Sequence, residues 1–275
     1  MQQLVYRYAA VDVDKTLDWK GSISQENIQA VQRLDQAGVL AMIVTGRNFH
    51  QADDIHRQLG LKGPLVSSDG GLVSIPGGRI IQEKTLPLGI SNAILQVAFE
   101  EGVSCLCFHR HGVTVTSKFD WSEDMDRHRS MGKHFTERKR SELSNQRLYK
   151  VLLFSQDPTR LDRMEAAVTE TFGDIVGTIR NGPQTLELLL KGVSKVSGLR
   201  KVAAHLGVSP RSFLAFGDGN NDVGMFGWAG LSVSMYHGTA LARESAKMIA
   251  PETSPEVNFA AGVDAVIARL GLKAA

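Results

Sequence analysis

The run Phe216-Gly217-Asp218-Gly219-Asn220-Asn221-Asp222 follows an apolar stretch of strand length, 212–216, and leads into a helical segment. A turn built only to connect a strand and a helix needs no such succession of acids, amides and glycines, so this one is read as a functional turn at the end of a strand. Around it lies a helix over about 195–206 ending at Gly207, with short apolar runs at 230–234 and 247–250. The amino-terminal part repeats the pattern. Runs 4–11 and 39–44 read as strands, and the amphipathic stretch between them carries Ile28, Val31 and Leu34 on one face. Ser24 is the expected N-cap of that helix and Gly38 its stop, and a second helix over about 48–59 ends at Gly60. Near-continuous apolar strands separated by helices indicate an α/β fold: a parallel sheet covered on both faces, with a functional crevice outside the carboxyl ends of its strands.

The middle reads differently. From about 83 to 189, strand-like segments at Cys105–His109, Val113–Ser117, Tyr149–Phe154 and Thr185–Leu190 accompany helical patterns near 89–101 and 159–172, which predicts an inserted α+β layer. The expected division is therefore a core of 1–82 and 190–275 around an insert of 83–189. Within the insert, 118–147 is strongly charged, includes Arg138-Lys139-Arg140, and reads as a solvated helix and loop in which Trp121 and Phe135 offer stacking surfaces.

Composition narrows the function classes. Of 275 residues, 43% are hydrophobic and 22% charged, which argues against long disorder, collagen-like repeats and coiled coil. A net charge of +2 gives no general electrostatic grip on nucleic acid or an anionic membrane, so any phosphate recognition must be local. Cys105 and Cys107, the two cysteines, supply neither a disulfide framework nor a thiolate zinc site, and read as buried thiols. With no bilayer-length apolar run and no basic leader before Arg7, the expected location is cytoplasmic. The expected partner is a small molecule rather than nucleic acid or membrane, for a monomer or homodimer.

In Val11-Asp12-Val13-Asp14-Lys15-Thr16-Leu17, extended backbone sends Asp12 and Asp14 to the same side where the first strand stops. Turn capping by Asp14 or Thr16 is the competing reading. The second strand ends in Thr45-Gly46-Arg47, where glycine lets backbone approach an anion and the threonine hydroxyl can donate to it. Lys195 stands near a helix start as an available positive charge. An EF-hand beginning at Asp12 would meet Leu17 and Ile23 where Gly and Glu are required, and one beginning at Asp218 would meet Val223 and Ala229, so both fail. There is no Walker phosphate loop or His-Glu-x-x-His helix. His109 and His111 share a strand face without an evident third ligand.

Taken in order, Asp12-Val13-Asp14-Lys15-Thr16, Thr45-Gly46-Arg47, Lys195 and Gly217-Asp218-Gly219-Asn220-Asn221-Asp222 resemble the four motifs of the haloacid dehalogenase superfamily. The insert between the second and third motifs resembles the C2B cap of the Cof-type, subfamily IIB phosphatases, over essentially the whole chain. The resemblance implies a Rossmann-like core that carries the chemistry and a cap that selects the substrate. It assigns Asp12 as nucleophile and Asp14 as general acid and base. Mg²⁺ would be held by Asp12, Asp218 and the Asp14 main-chain carbonyl, with Asp222 supporting the metal shell. Thr45, Gly46, Arg47, Lys195 and Asn221 fall on the substrate side. The activity implied is hydrolysis of a small phosphorylated metabolite, a sugar phosphate or sugar-phosphoglycerate, through an aspartyl-phosphate. The alternatives are a phosphomutase using the same intermediate and a non-catalytic module binding Mg²⁺ or a phosphometabolite. His109, Arg110, Arg180 and Asn181 are the residues of the insert considered for reading a substrate. The chain departs from the family pattern at Lys15 and Asp69-Gly70-Gly71, which stand where Asp-Gly-Thr and Asn-Gly-Ala are usual, and at Val196, where glycine commonly follows the motif lysine.

Overall fold

The structure is a computed structural model that describes residues 6–116, 135–138, 143 and 145–272. The chain divides into two compact units, one of residues 1–46, 52–82 and 194–275, the other of 47–51 and 83–193. Residues 47–51 and 190–193, expected in the core, are thus grouped with the second unit. Among the described residues no helix is long and apolar enough to cross a membrane.

The first unit is built on β1 (Tyr8–Val11), β2 (Leu40–Val44), β3 (Leu65–Ser67), β4 (Leu72–Ile75), β5 (Arg79–Glu83), β12 (Phe213–Gly217), β13 (Leu231–Ser234) and β14 (Met248–Ile249). Their order in the sheet is β14-β13-β12-β1-β2-β3-β4-β5. From β14 to β3 all pairings are parallel, with Val11 beside both Phe216 and Ile43, and β4 runs antiparallel to β3. The central strands are buried on both faces, which explains why they read as continuous apolar runs. Strands β3, β4 and β5 are not marked by the sequence pattern: β3 and β4 are short and run into turns, and β5, Arg79–Glu83, is only partly apolar and not buried.

Helices α1 (Gln25–Gln36), α2 (Phe49–Gln58), α5 (Lys195–Leu206), α6 (Val223–Trp228), α7 (Ala240–Ser245) and α8 (Asn258–Leu270) accompany these strands. In α1 the Ser24 side chain accepts from the Asn27 N–H, as expected of an N-cap, and Gly38 has φ of 74° just beyond the last turn. Val31 and Leu34 are buried, whereas Ile28 is half-buried and Asn27 takes the inner place. The Asn27 amide donates to the carbonyls of Leu17 and Glu256 and accepts from the Ala260 N–H, tying α1 to α8 and to the turn after β1. Leu199, Val202, Met225 and Phe226 of α5 and α6 pack on Ala10, Met42, Val66 and Ala215. Val196 fits because a Cβ on Gly224 would lie only 3.0 Å from it, so the glycine of α6 makes the room.

The second unit carries β6 (Ser104–His109), β7 (Gly112–Thr116), β8 (Phe135–Arg138), β9 (Leu148–Phe154), β10 (Val176–Gly182) and β11 (Thr185–Leu190), ordered β10-β11-β9-β6-β7-β8, with α3 (Leu88–Glu100) and α4 (Pro158–Phe172). Ile94, Leu95, Leu161 and Met164 of the helices pack on Cys105, Cys107, Val151, Leu153, Leu186 and Leu188, while Leu106, Phe108, Leu152 and Phe154 form a separate cluster. The period-two alternation along β6 and β9 produces this split. Both cysteines are buried, and burial pushes the Cys105 thiol up to about 12. The solvated helix and loop expected at 118–147 is corrected at Phe135–Arg138, which form a strand parallel to β7. Trp121, Lys139 and Arg140 lie outside the described residues.

Ser24→Ala removes one helix cap and is expected to cost about 1 kcal/mol, read as a lower urea midpoint at unchanged m-value, while Ser24→Asp keeps the cap and most of the stability. An unchanged midpoint for Ser24→Ala would contradict the role of this bond.

Candidate active site

The carboxyl ends of β12, β1, β2 and β3 lie side by side in the sheet, and the turns leaving them carry Asp218, Asp12, Thr45 and Asp69. Asp12 stands one residue past β1 and donates its N–H to the Phe216 carbonyl at 3.0 Å, which continues the strand pairing to the base of the site. The chain then reverses tightly. The Val13 carbonyl accepts from the N–H groups of Thr16, Leu17 and Asp18, and the Lys15 N–H donates to the Asp18 carbonyl. This turn sets Lys15 at φ of 59°, a left-handed position that accounts for the glycine usual there. His237, after β13, holds the Lys15 carbonyl at 2.6 Å through Nε2 and packs edge-on against Trp19.

Lys195 is placed by a capping box in which Ser194 and Ser197 exchange hydrogen bonds at the start of α5. Its Nζ lies 2.6 Å from Asp12 Oδ1 and 2.7 Å from Asp222 Oδ1, with all three side chains buried. The other Asp222 oxygen accepts the N–H groups of Asp218 and Gly219, both at 2.9 Å. Asp222 therefore closes the turn on which Asp218 stands. Gly217 is required beneath it, because a Cβ there would fall 2.4 Å from the Asp222 carboxyl carbon. Asp12, Asp218 and Asp222 each present a carboxylate oxygen within 4.8 Å of the others. Thr16 donates its hydroxyl to Asp218 Oδ1 at 3.0 Å, across 202 residues of sequence.

Of the other residues expected at the site, Thr45 is buried at the end of β2 and its carbonyl accepts the Asp69 N–H. Asn221 donates its side-chain amide to Asp69 Oδ1 at 3.2 Å. Asp14 is half-buried, Gly46 follows Thr45 in the first unit, and Arg47 is buried and belongs to the second unit. In that unit His109 pairs with the Thr114 hydroxyl at 2.9 Å, Arg110 faces Glu83 at 3.7 Å, Arg180 is engaged by Glu165 and Asp162, and Asn181 stands in β10. The partners of Thr16 and Asp69 were not expected: Thr16 stood within the first motif as a possible turn cap, and Asp69 only as a departure from the usual asparagine, whereas their bonds to Asp218 and Asn221 are long-range.

The electrostatics of the cluster are strained. Burial raises the pKa of Asp12 well above the usual carboxylate range. Lys195 opposes that rise, and the like charges of Asp222, Asp218 and Asp14 add to it. Burial, reinforced by Asp222, lifts Asp218 to about 7 against the opposing influence of Lys195 and Thr16. For Lys195 burial works against the charge, but Asp12, Asp222 and Asp69 outweigh it and raise its pKa. The ammonium is thus firmly protonated, and the acids around it outweigh its charge.

A family model for haloacid dehalogenase-like hydrolases matches residues 9–256. The HMP-PP phosphatase of Serratia proteamaculans is 29% identical over 238 residues, covering 84% of each chain. A 5-amino-6-(5-phospho-D-ribitylamino)uracil phosphatase of Bacillus subtilis is 24% identical over 265 residues, 89% of this chain and 90% of the relative. The solved structure of a sugar phosphatase of HAD subclass IIB matches with a TM-score of 0.78 at 19% identity, covering 97% of this chain and all of that one. The fold is an α/β core with a parallel sheet, and its buried acids gather at the strand ends. The chain belongs to the haloacid dehalogenase-like hydrolase family.

Lys15→Gly is expected to relieve the left-handed strain and stabilise the protein by about 1 kcal/mol, whereas Lys15→Ala retains the strain; thermal unfolding of the three proteins checks this, and a destabilised Lys15→Gly contradicts it. A second expectation concerns pH. Because the folded pKa of Asp218, about 7, lies above the unfolded value, the native state holds an extra proton between the two, and stability is lost as pH rises through that window. The difference in unfolding free energy between wild type and Asp218→Asn, measured in chelator, should fall between about pH 4 and pH 7 by at most about 1.4 kcal/mol per unit. A difference that rises over this range would contradict the assignment.

Proposed function

We propose that this phosphoric monoester hydrolase acts on a small phosphorylated metabolite, with Asp12 as its nucleophile and Mg²⁺ as its cofactor. The hydrolase class rests on the family and on the phosphatases the chain resembles. The residue assignment rests on one observation, the Lys195 ammonium 2.6 Å from Asp12 and 2.7 Å from Asp222 within a buried cluster that includes Asp218.

The donor set fits magnesium. Its groups are hard carboxylate oxygens, without imidazole or thiolate, and their charge exceeds what Lys195 balances. Asp12, Asp218 and the Asp14 main-chain carbonyl are the proposed ligands. Both Asp222 oxygens are engaged by Lys195 and two backbone N–H groups, which favours a supporting role in which Asp222 orients the Asp218 turn. When bound, the ion supplies positive charge to the phosphoryl oxygens and to the ionised acids.

In the proposed reaction the Asp12 carboxylate attacks phosphorus in line and forms the aspartyl-phosphate as the ester P–O bond breaks. Asp14 gives its proton to the leaving alkoxide. It then takes a proton from the water that attacks the acyl-phosphate, so the cycle ends with inorganic phosphate, a protonated Asp14 and a free Asp12 carboxylate. Lys195 keeps negative charge on Asp12 tolerable in a buried place and, with Thr45, Gly46 and Asn221, is proposed to bind the phosphate oxygens.

The relatives named above act on chemically different compounds, so the substrate class is proposed from the shared chemistry of a compact phosphorylated organic molecule, with sugar phosphates first. The second unit is proposed as the cap that selects it, and the cytoplasm as the location. The test is inorganic phosphate release with Mg²⁺ across sugar phosphates, nucleotides, phosphoglycerate conjugates and cofactor phosphates. At least one class should turn over to free phosphate rather than to an isomeric ester. Asp12→Ala should abolish that turnover and Asp14→Asn slow it by roughly 10²–10⁴-fold. Steady hydrolysis by Asp12→Ala would remove Asp12 from the role of nucleophile.

A further inference from the structure

We infer that Asp69 is a positioning residue of this site, holding the side-chain amide of Asn221 so that its second N–H faces the phosphate. The inference rests on the phosphatase reading above and adds a residue that lies outside the four motifs.

The Asn221 amide carbonyl lies over Gly219, where a Cβ would come within 2.7 Å of Oδ1. At the other end Nδ2 donates to Asp69 Oδ1 at 3.2 Å. A primary amide has two N–H bonds; with one given to Asp69, the other remains for an acceptor. A carboxylate only accepts, so it fixes which way the Asn221 amide points. The asparagine usual at position 69 could itself turn over and offer a donor.

Asp69 is in turn fixed by its turn. Ser68 and Asp69 both have left-handed backbone, φ of 49° and 53°, and consecutive non-glycine residues hold such a conformation only where their surroundings impose it. The Asp69 N–H donates to the Thr45 carbonyl. Gly70, at φ of 94°, lies so close to the start of α5 that a Cβ there would fall 2.2 Å from the Ser194 carbonyl oxygen. One short turn thereby touches the segment ending in Thr45, the helix start that carries Lys195, and the side chain of Asn221. A mere connection between β3 and β4 requires none of these contacts.

The test uses the full chain with p-nitrophenyl phosphate and Mg²⁺, inorganic phosphate binding by calorimetry, and the ¹⁵N side-chain amide signal of Asn221, identified by its disappearance in Asn221→Ala. Asp69→Ala is expected to raise both KM and the phosphate Kd on the order of tenfold, the size of one hydrogen bond to a charged group, with kcat little changed. Asp69→Asn should restore most of the loss. Asp69→Ala combined with Asn221→Ala should be no worse than Asn221→Ala alone. The amide signal should move in Asp69→Ala before any phosphate is added. If Asp69→Ala does not fold, Asp69→Gly removes the carboxylate while easing the left-handed turn. An unmoved amide signal, or effects of the two substitutions that add in full, overturns the inference. A wild-type protein that neither binds nor releases phosphate, while the amide signal still shifts in Asp69→Ala, overturns the phosphatase reading and leaves only the hold of Asp69 on Asn221 standing.

Discussion

A buried ammonium shared by two buried carboxylates joins three distant parts of this chain: residue 12 after the first strand, residue 195 at a helix start, and residue 222 past the twelfth strand. None of the three charges is tolerable alone at such depth, and removing one partner of a buried pair typically costs about 3–5 kcal/mol. The parallel order β12-β1-β2 brings the relevant strand ends side by side, and the capping box before Lys195 aims the ammonium between them. Asp222 then passes the constraint on. With one oxygen on Lys195 and the other on two backbone N–H groups, it shapes the turn that carries Asp218.

This arrangement sets stability against chemistry. Burial and mutual repulsion raise the pKa values of Asp12 and Asp218, so the cluster is ill at ease when fully ionised. An ionised Asp12 beside an anionic substrate would need a further positive charge within the cluster, which is the role proposed for magnesium. Local backbone strain follows the same pattern. Lys15, Ser68 and Asp69 adopt left-handed conformations within turns that serve the cluster, where strain is characteristically retained.

Much of the first unit could be read from local pattern. The strand runs beside Asp12 and Asp218, the Ser24 cap, and the glycine stops at 38, 60 and 207 all follow from short-range preferences. What escaped reading depended on long-range contacts or on short segments. Strands β3 to β5 are joined by turns and lack the helix that makes a parallel strand recognisable. Phe135–Arg138 pairs as a strand inside a charged stretch, where composition argues against it. Asn27 displaces Ile28 from the inner face of α1 because backbone groups from distant segments satisfy its amide. At the site, the motif residues were visible by type and spacing, whereas the engagement of both Asp222 oxygens by protein donors and the link from Asp69 to Asn221 emerge only in three dimensions. Lys15 illustrates the reverse: its departure from glycine was plain, and its backbone cost was not.

Lys195 bridges Asp12 and Asp222, and in the proposed reaction only Asp12 becomes phosphorylated. Acid-quenching the Asp14→Asn protein during reaction with a phosphate ester and Mg²⁺, reducing the product with borohydride, and locating the modified residue by mass spectrometry distinguishes the two. Reduction to homoserine is expected at Asp12, and at no other aspartate. Phosphate release at a measurable rate with Asp12 unmodified, or reduction at a different aspartate, would contradict it.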